Sequence, residues 1–143
     1  MDSGDLARRG FVGWPLITSD NVPEAMSQLP FAPGVYVFRT LEMQHAVRGK
    51  SDIAYIGKGT RQGGIQARVR DHFYQPAQPT TNTPSGRIDQ WINEWGYQVE
   101  IGWLVCESRE EAERTERELL VEYEVEHHNL PPINRSMPRG PAK

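Results

Sequence analysis

Glu116 occupies the most telling position in this chain. Ser108 followed by Glu111 three residues later forms a capping-box pattern, and the helix it opens is expected to run to about His127. The apolar positions of that helix are Ala112, Leu119, Leu120 and Tyr123. Glu116 falls among them, one turn after Ala112 and one before Leu120. A carboxylate on a core-facing stripe must be paired or must coordinate a cation, because burying it alone is costly. Arg68 and His72, four residues apart, share one face of a shorter expected helix. They lie in a basic stretch: residues 39–72 carry Arg39, Arg48, Lys50, Lys58, Arg61, Arg68 and Arg70 against Glu42, Asp52 and Asp71, a local +4. Such a face is compatible with phosphate binding.

The elements that must position these groups are legible from Gly34 onward. Gly34-Val35-Tyr36-Val37-Phe38-Arg39 is β-branched and aromatic, the composition of a buried strand. A polar connection leads to a second strand, Ile53 to Gly57, and the short link favours an antiparallel hairpin. Ile65, Val69 and Phe73, spaced four apart, predict a helix over about Gly64 to Tyr74. Gln75 to Gly86 is a Pro, Thr, Asn and Ser loop. Ile88, Trp91, Ile92 and Trp95 then predict an amphipathic helix over 85–95, closed by Gly96. Alternation over Tyr97 to Val105 predicts a third strand. The fold class is α+β, a small three-stranded antiparallel sheet flanked by helices. Residues 1–33 show little periodicity and read as a covering arm with one short helix over Val22 to Leu29. The domain proper would span 34–136, with a tail at 137–143.

Bulk properties are those of an ordinary soluble domain: 143 residues, 37% hydrophobic and 24% charged. No apolar run is long enough to span a bilayer, and the first ten residues lack the pattern of a signal peptide, so cytoplasmic residence is the default expectation. A lone cysteine, Cys106, excludes an internal disulfide and a thiolate metal cluster, and reads as a small buried hydrophobe ending a strand. The net charge of −3 hides a segregation. Residues 107–126 hold nine glutamates against three arginines, so the rest of the chain is net +3.

Gly34-Val35-Tyr36 followed by Tyr55-Ile56-Gly57 resembles the paired tripeptides that name the GIY-YIG nuclease superfamily. The resemblance extends in order through Arg68 and His72, through Ala112, Glu116 and the Leu119–Leu120 pair, to Pro131-Pro132-Ile133-Asn134. Lys58, directly after the second tripeptide, also resembles the nuclease domain of the bacterial excision-repair incision protein. The similarity spans residues 34–134. It implies an endonuclease that hydrolyses DNA phosphodiester bonds with one divalent cation, Mg²⁺ or Mn²⁺. Glu116 would be the metal ligand, which also accounts for its burial. Arg68 would offset the transition-state charge through its planar fork of donors. Tyr36 or Tyr55 would act on the attacking water, His72 would relay a proton or orient a neighbour, and Asn134 would fix a loop near the metal. Lys58, Arg61 and Arg70 would contact phosphate. Arg70 rivals Arg68, because the loop before the helix is longer than in compact members of the superfamily. Glu113 or Glu118 would replace Glu116 under a different helix register.

Singly these residues have plainer readings. Tyr36 and Tyr55 suit strand aromatics, Arg68 a surface position, His72 a helix face and Asn134 a turn. The His127–His128 pair would favour the helix dipole, while Trp14 in the arm could stack on a base. The second functional reading is therefore a non-catalytic nucleic-acid-binding module on the same fold, and the third a partner-binding domain using the acidic helix. Duplex or branched DNA is the expected partner. With no helix-turn-helix, zinc finger or long basic arm in the sequence, the readings left open are a compact restriction-like enzyme, a mobile-element or phage nuclease, and a subunit guided by a targeting partner. A homodimer would permit double-strand cutting.

Overall fold

A computed structural model describes residues 1–74 and 83–134 of the chain. The elements run α1 (Ser3–Arg8), β1 (Val12–Ile17), α2 (Val22–Ser27), β2 (Gly34–His45), β3 (Lys50–Gly59), α3 (Gly64–Tyr74), α4 (Pro84–Asp89), a π-helical turn (Gln90–Glu94), β4 (Val99–Val105) and α5 (Arg109–His127). The architecture is α+β. The sheet has four strands rather than the three expected, all antiparallel, in the order β1-β4-β2-β3. The additional strand is β1, within the segment expected to be an irregular arm. Its alternation is broken by Gly13 and Trp14, both at positive φ, and by Pro15. Proline and irregular backbone are tolerated at an edge, where one side of the ladder goes unpaired. The expected loop at 75–82 and the expected tail both lie outside the described residues. Among the described residues no helix is long and apolar enough to cross a membrane.

β2 lies between two neighbours and is covered on both faces, which is why its first half is an unbroken apolar run. Val35 and Val37 point to one face, packing with Ile53, Ile56 and the Leu119, Leu120 and Tyr123 side chains of α5. Tyr36 and Phe38 point to the other, packing with Tyr55, Ile65 and Val69 of α3, Ile88 and Trp91. α5 and α3 therefore lie on opposite faces of the sheet. β3 is an edge strand between them. The α3 boundaries match those expected from its four-residue spacing.

Two helices depart from their expected form. The helix predicted over 85–95 is α-helical only to Asp89, after which Trp95 N–H bonds to Gln90 C=O at 2.8 Å, the five-residue step of a π turn. That wider turn shifts the phase of the residues beyond it. Trp91 stays in the core, whereas Trp95, expected on the same apolar stripe, is exposed. In α5 the Ser108 hydroxyl accepts from Glu111 N–H at 3.1 Å as expected of a cap. The returning bond from Glu111 goes to Glu107 N–H rather than to Ser108, one residue short of a capping box. His127 is more than a favourable charge at a helix end: it is buried, and its Nδ1 donates to the Arg48 carbonyl at 2.8 Å.

The join between β3 and α3 depends on Gly59. A Cβ there would stand 2.6 Å from the Gly64 carbonyl and from Ile65 Cα, so the first turn of α3 is seated directly on the strand backbone. Because these neighbours are backbone, they cannot swing aside. Gly59→Ala is expected to lower the unfolding free energy by about 3 kcal/mol, at the upper end of the overpacking range. Urea denaturation followed by far-ultraviolet circular dichroism checks it, and a change below measurement error would show that this junction is loose.

Candidate functional site

The cleft forms at the edge of β3, where helices from both sheet faces reach past the strand. Register explains which side chains arrive there. Tyr36 lies opposite Gly57, and Phe38 opposite Tyr55, so Tyr36 and Tyr55 share the face that α3 covers. Gly57 has no side chain because the Tyr36 ring lies across it: a Cβ would meet Tyr36 Cζ and Tyr55 Cε2 at 2.6 Å. Lys58, opposite Val35, projects to the α5 face, toward Glu116. Tyr36, Tyr55, Lys58, Arg61, Arg68 and Glu116 line one cleft of about 630 Å³, together with Thr60, Gln62, Gly64, Ala67 and Asp71.

Glu116 is 7% exposed, as its place on the apolar stripe of α5 implies. Lys58 Nζ lies 3.9 Å from Glu116 Oε1, too long for a direct hydrogen bond. Burial pushes the Glu116 carboxyl up from 4.5 to about 7, with Lys58 pulling down, Glu113 adding to the rise and Arg68 pulling down again. Arg68 is partly exposed at the mouth, 3.9 Å from Asp71 Oδ2, which also pairs with Arg61 at 3.2 Å. Asp71 is a cleft residue that the motif pattern does not single out. Its one signal in the sequence is its position three residues after Arg68, on the same helix face.

His72 is 5% exposed and belongs to the wall behind the tyrosines. Its Nε2 is 2.7 Å from the Tyr36 hydroxyl and its Nδ1 is 2.9 Å from Ser85 Oγ. The rings of Tyr36, Phe38 and Tyr55 stand edge-on to it at 5.7–6.0 Å. Burial, and then Arg68, pushes its pKa down to about 3, so the ring is neutral at physiological pH. Burial raises the pKa of both tyrosines. For Tyr36, which is fully enclosed, Tyr55 adds to the rise and Arg68 opposes it. For Tyr55, Arg68 is the chief opposing influence, and the Tyr36 hydroxyl further favours its phenolate.

Two expected site residues stand apart. Asn134 does not line the cleft. Its side chain accepts from Ile56 N–H at 3.0 Å and donates to Ile56 C=O at 2.9 Å, gripping β3 between Tyr55 and Gly57. That contact positions strand backbone. Arg70 is exposed on α3 and is not among the cleft-lining residues. Glu113 and Glu118 are exposed on α5, with Glu116 on the inner stripe between them. Trp14 lies under the Arg39 guanidinium, 4.1 Å from its ring centroid, and that face is covered. Cys106 is buried just past the end of β4, as its composition suggests.

Two acids line the cleft, and Asp71 is engaged with arginines, leaving Glu116 as the carboxylate available to a cation. Among the described residues no cluster of three or more histidine, cysteine, aspartate or glutamate side chains is arranged as a metal cage. A single carboxylate in a polar cleft fits a hard divalent ion that keeps most of its water, and does not fit a closed structural zinc site. Comparison with models of known families, with curated proteins and with solved structures finds no match.

The raised Glu116 pKa has a consequence for stability. Between pH 4.5 and 7 the folded state holds this proton more tightly than the unfolded chain does, so stability falls as pH rises through that window. Above pH 7 the full cost is present, on the order of 3 kcal/mol. Glu116→Gln is expected to remove that slope and to make the metal-free protein more stable at pH 8 than the parent. Urea melts at pH 5 and pH 8 measure it. An unchanged slope in the variant would show that Glu116 is not the group responsible.

Proposed function

We propose that this protein is a metal-dependent endonuclease that hydrolyses DNA phosphodiester bonds, with a domain of the GIY-YIG type. One observation carries the reading: Arg68 and Glu116, borne by helices on opposite faces of the sheet, line the same cleft as both motif tyrosines. The ordered resemblance from Gly34 to Asn134 supports it. So does the pairing of the two tripeptides, in which Tyr36 covers the glycine of the second.

In this reading the phosphate enters beside Lys58 and Arg68. Lys58 supplies a point charge that draws the anion toward the β3 edge. Arg68 offers a planar pair of donors to two phosphate oxygens and offsets the charge that grows on them as the attacking oxygen adds. Arg61, at the mouth, adds field along the backbone of the nucleic acid. Glu116 would hold Mg²⁺ or Mn²⁺, which when bound supplies Lewis-acid stabilisation of phosphate and leaving oxygens. The tyrosine hydroxyls form the back wall, where burial raises their pKa and Arg68 opposes that rise. His72 is neutral and serves by hydrogen bonding, holding Tyr36 in place. Asn134 keeps the Tyr55–Gly57 backbone in register.

A second reading, a nucleic-acid-binding module without chemistry, is favoured by the pairing of cleft cations with acids: Arg61 with Asp71 and Lys58 with Glu116. Plasmid incubated with the protein separates the two. The nuclease reading expects nicking or cutting in Mg²⁺ or Mn²⁺. Arg68→Ala and Glu116→Gln proteins of native circular dichroism are expected to lose roughly 10²-fold or more of that activity. Their DNA affinity should change far less for Glu116→Gln than for Arg68→Ala. Salt-dependent DNA binding with no strand cleavage in either metal would leave the binding module as the answer.

A further inference from the structure

Phe31 is 73% exposed, the barest aromatic side chain among the described residues. An isolated apolar side chain on a surface is ordinary and by itself calls for no explanation. Phe31 differs in how its backbone is held. Pro30 precedes it, and Pro33 follows two residues later. The carbonyls on either side of it are both engaged: Pro30 C=O accepts from Gln66 N–H and Ala32 C=O from Ile65 N–H, each at 3.0 Å. The first turn of α3 thus clamps the segment at two points, and the prolines restrict it further.

The same clamp sets Phe31 beside the cleft. Gly64 lines the cleft, and a Cβ on it would fall 2.2 Å from the Ala32 carbonyl oxygen and 2.8 Å from the Ala32 nitrogen. That nitrogen is bonded to the Phe31 carbonyl carbon, so the Phe31 backbone abuts the cleft wall. Along the chain from Gly64 back to the exposed Arg61, Gly63 adds no side chain either. Charge on this rim has one sign. Residues 25–34 carry no charge, while 53–70 hold Lys58, Arg61, Arg68 and Arg70 and no acid. Asp71, the first acid beyond, is engaged by Arg61 and Arg68.

A held aromatic ring next to cations is how proteins grip single-stranded nucleic acid: the cations follow the phosphates and the ring stacks on a base. Stacking on a clamped segment orders little that was free before. A protein partner fits this rim less well. None of the other strongly exposed large apolar side chains lies in 25–34 or 58–70, so the apolar centre of a protein interface is missing here. Trp14, the other arm residue considered for stacking, is covered by Arg39.

We propose that Phe31 is a nucleobase-stacking residue, and that the cleft therefore takes DNA in which a base close to the bound phosphate is unpaired, as in a single strand, a flap or the open part of a branch. In an intact duplex both faces of each base are already stacked on neighbours. The inference rests on the nucleic-acid reading of the cleft and names its substrate class; it requires DNA to enter, not to be cut.

Fluorescence anisotropy of the whole protein with short labelled DNA strands in EDTA tests it. One strand carries all its bases, and a second of equal length keeps every phosphate but has abasic sites. At one salt concentration the parent is expected to bind the first about 10-fold more tightly than the second. Phe31→Ala should abolish that margin while leaving affinity for the abasic strand and for blunt duplex unchanged. Phe31→Trp should keep the margin, and Phe31→Leu, apolar but without a π face, should lose it. Equal affinity of the parent for the two strands overturns the proposal, as does a margin that survives in the alanine or leucine variant. Discrimination between the strands, with no cutting of plasmid or branched DNA in Mg²⁺ or Mn²⁺, would remove the nuclease reading and leave the stacking site standing. Cutting without discrimination would do the reverse.

Discussion

A carboxylate held at 7% exposure has to be balanced by something, and in this domain the balance is incomplete. Lys58 comes no nearer than 3.9 Å, Arg68 acts from across the cleft, and Glu113 opposes both. The outcome is a glutamate whose pKa burial raises to about 7, against the pull of both cations. Packing provides the enclosure: Ala112, Leu119 and Leu120 on the same stripe are all buried against the sheet, so Glu116 cannot leave without pulling α5 away. The domain therefore commits its largest helix to keeping one charged group where charge is unwelcome.

Access to that group from the far side of the sheet is a matter of topology. Helices on opposite faces ordinarily cannot share a site, since the strands stand between them. They can here because β3 is the last strand, and because its end is stripped of bulk. Gly57 admits the Tyr36 ring and Gly59 admits the start of α3, while Lys58 between them turns to the α5 side. Alternation along three residues thus sends an aromatic wall one way and a cation the other. Arg68 comes from the first layer and Glu116 from the second, and the strand edge becomes the floor between them.

Much of this arrangement is legible in residue spacing alone. The 3.6-residue period of α5 places Glu116 inward and leaves Glu113 and Glu118 outside, and the four-residue step from Arg68 to His72 sets both on one side of α3. The features that spacing does not reveal are governed by context rather than composition. β1 carries glycine, a left-handed Trp14 and a proline, so nothing periodic betrays it; only the exposed edge of β4 makes it a strand. The π turn is hidden because Trp95 fits an ideal α-helical face, and a single extra residue per turn is enough to expel it. Ser85 is a commonplace residue whose partner, His72, is 13 residues distant in sequence, and the spacing that sets Asp71 beside Arg68 does not reveal its second partner, Arg61, 10 residues away. Asn134 does lie beside the motif strand, but its amide is engaged with backbone rather than with the cleft.

That use of Asn134 has an implication for how the protein ages. Where a fifth strand would pair, one primary amide presents both an acceptor and a donor to Ile56, mimicking a peptide group. The imitation is only as durable as the amide itself. Hydrolysis to aspartate would replace the donor with a second acceptor facing the Ile56 carbonyl, turning attraction into repulsion. The sheet margin at Ile56 would then stand open to another polypeptide, the condition under which unprotected strands associate. A single slow covalent change would thus loosen the strand that carries Tyr55 and Lys58 and bare its edge at the same point.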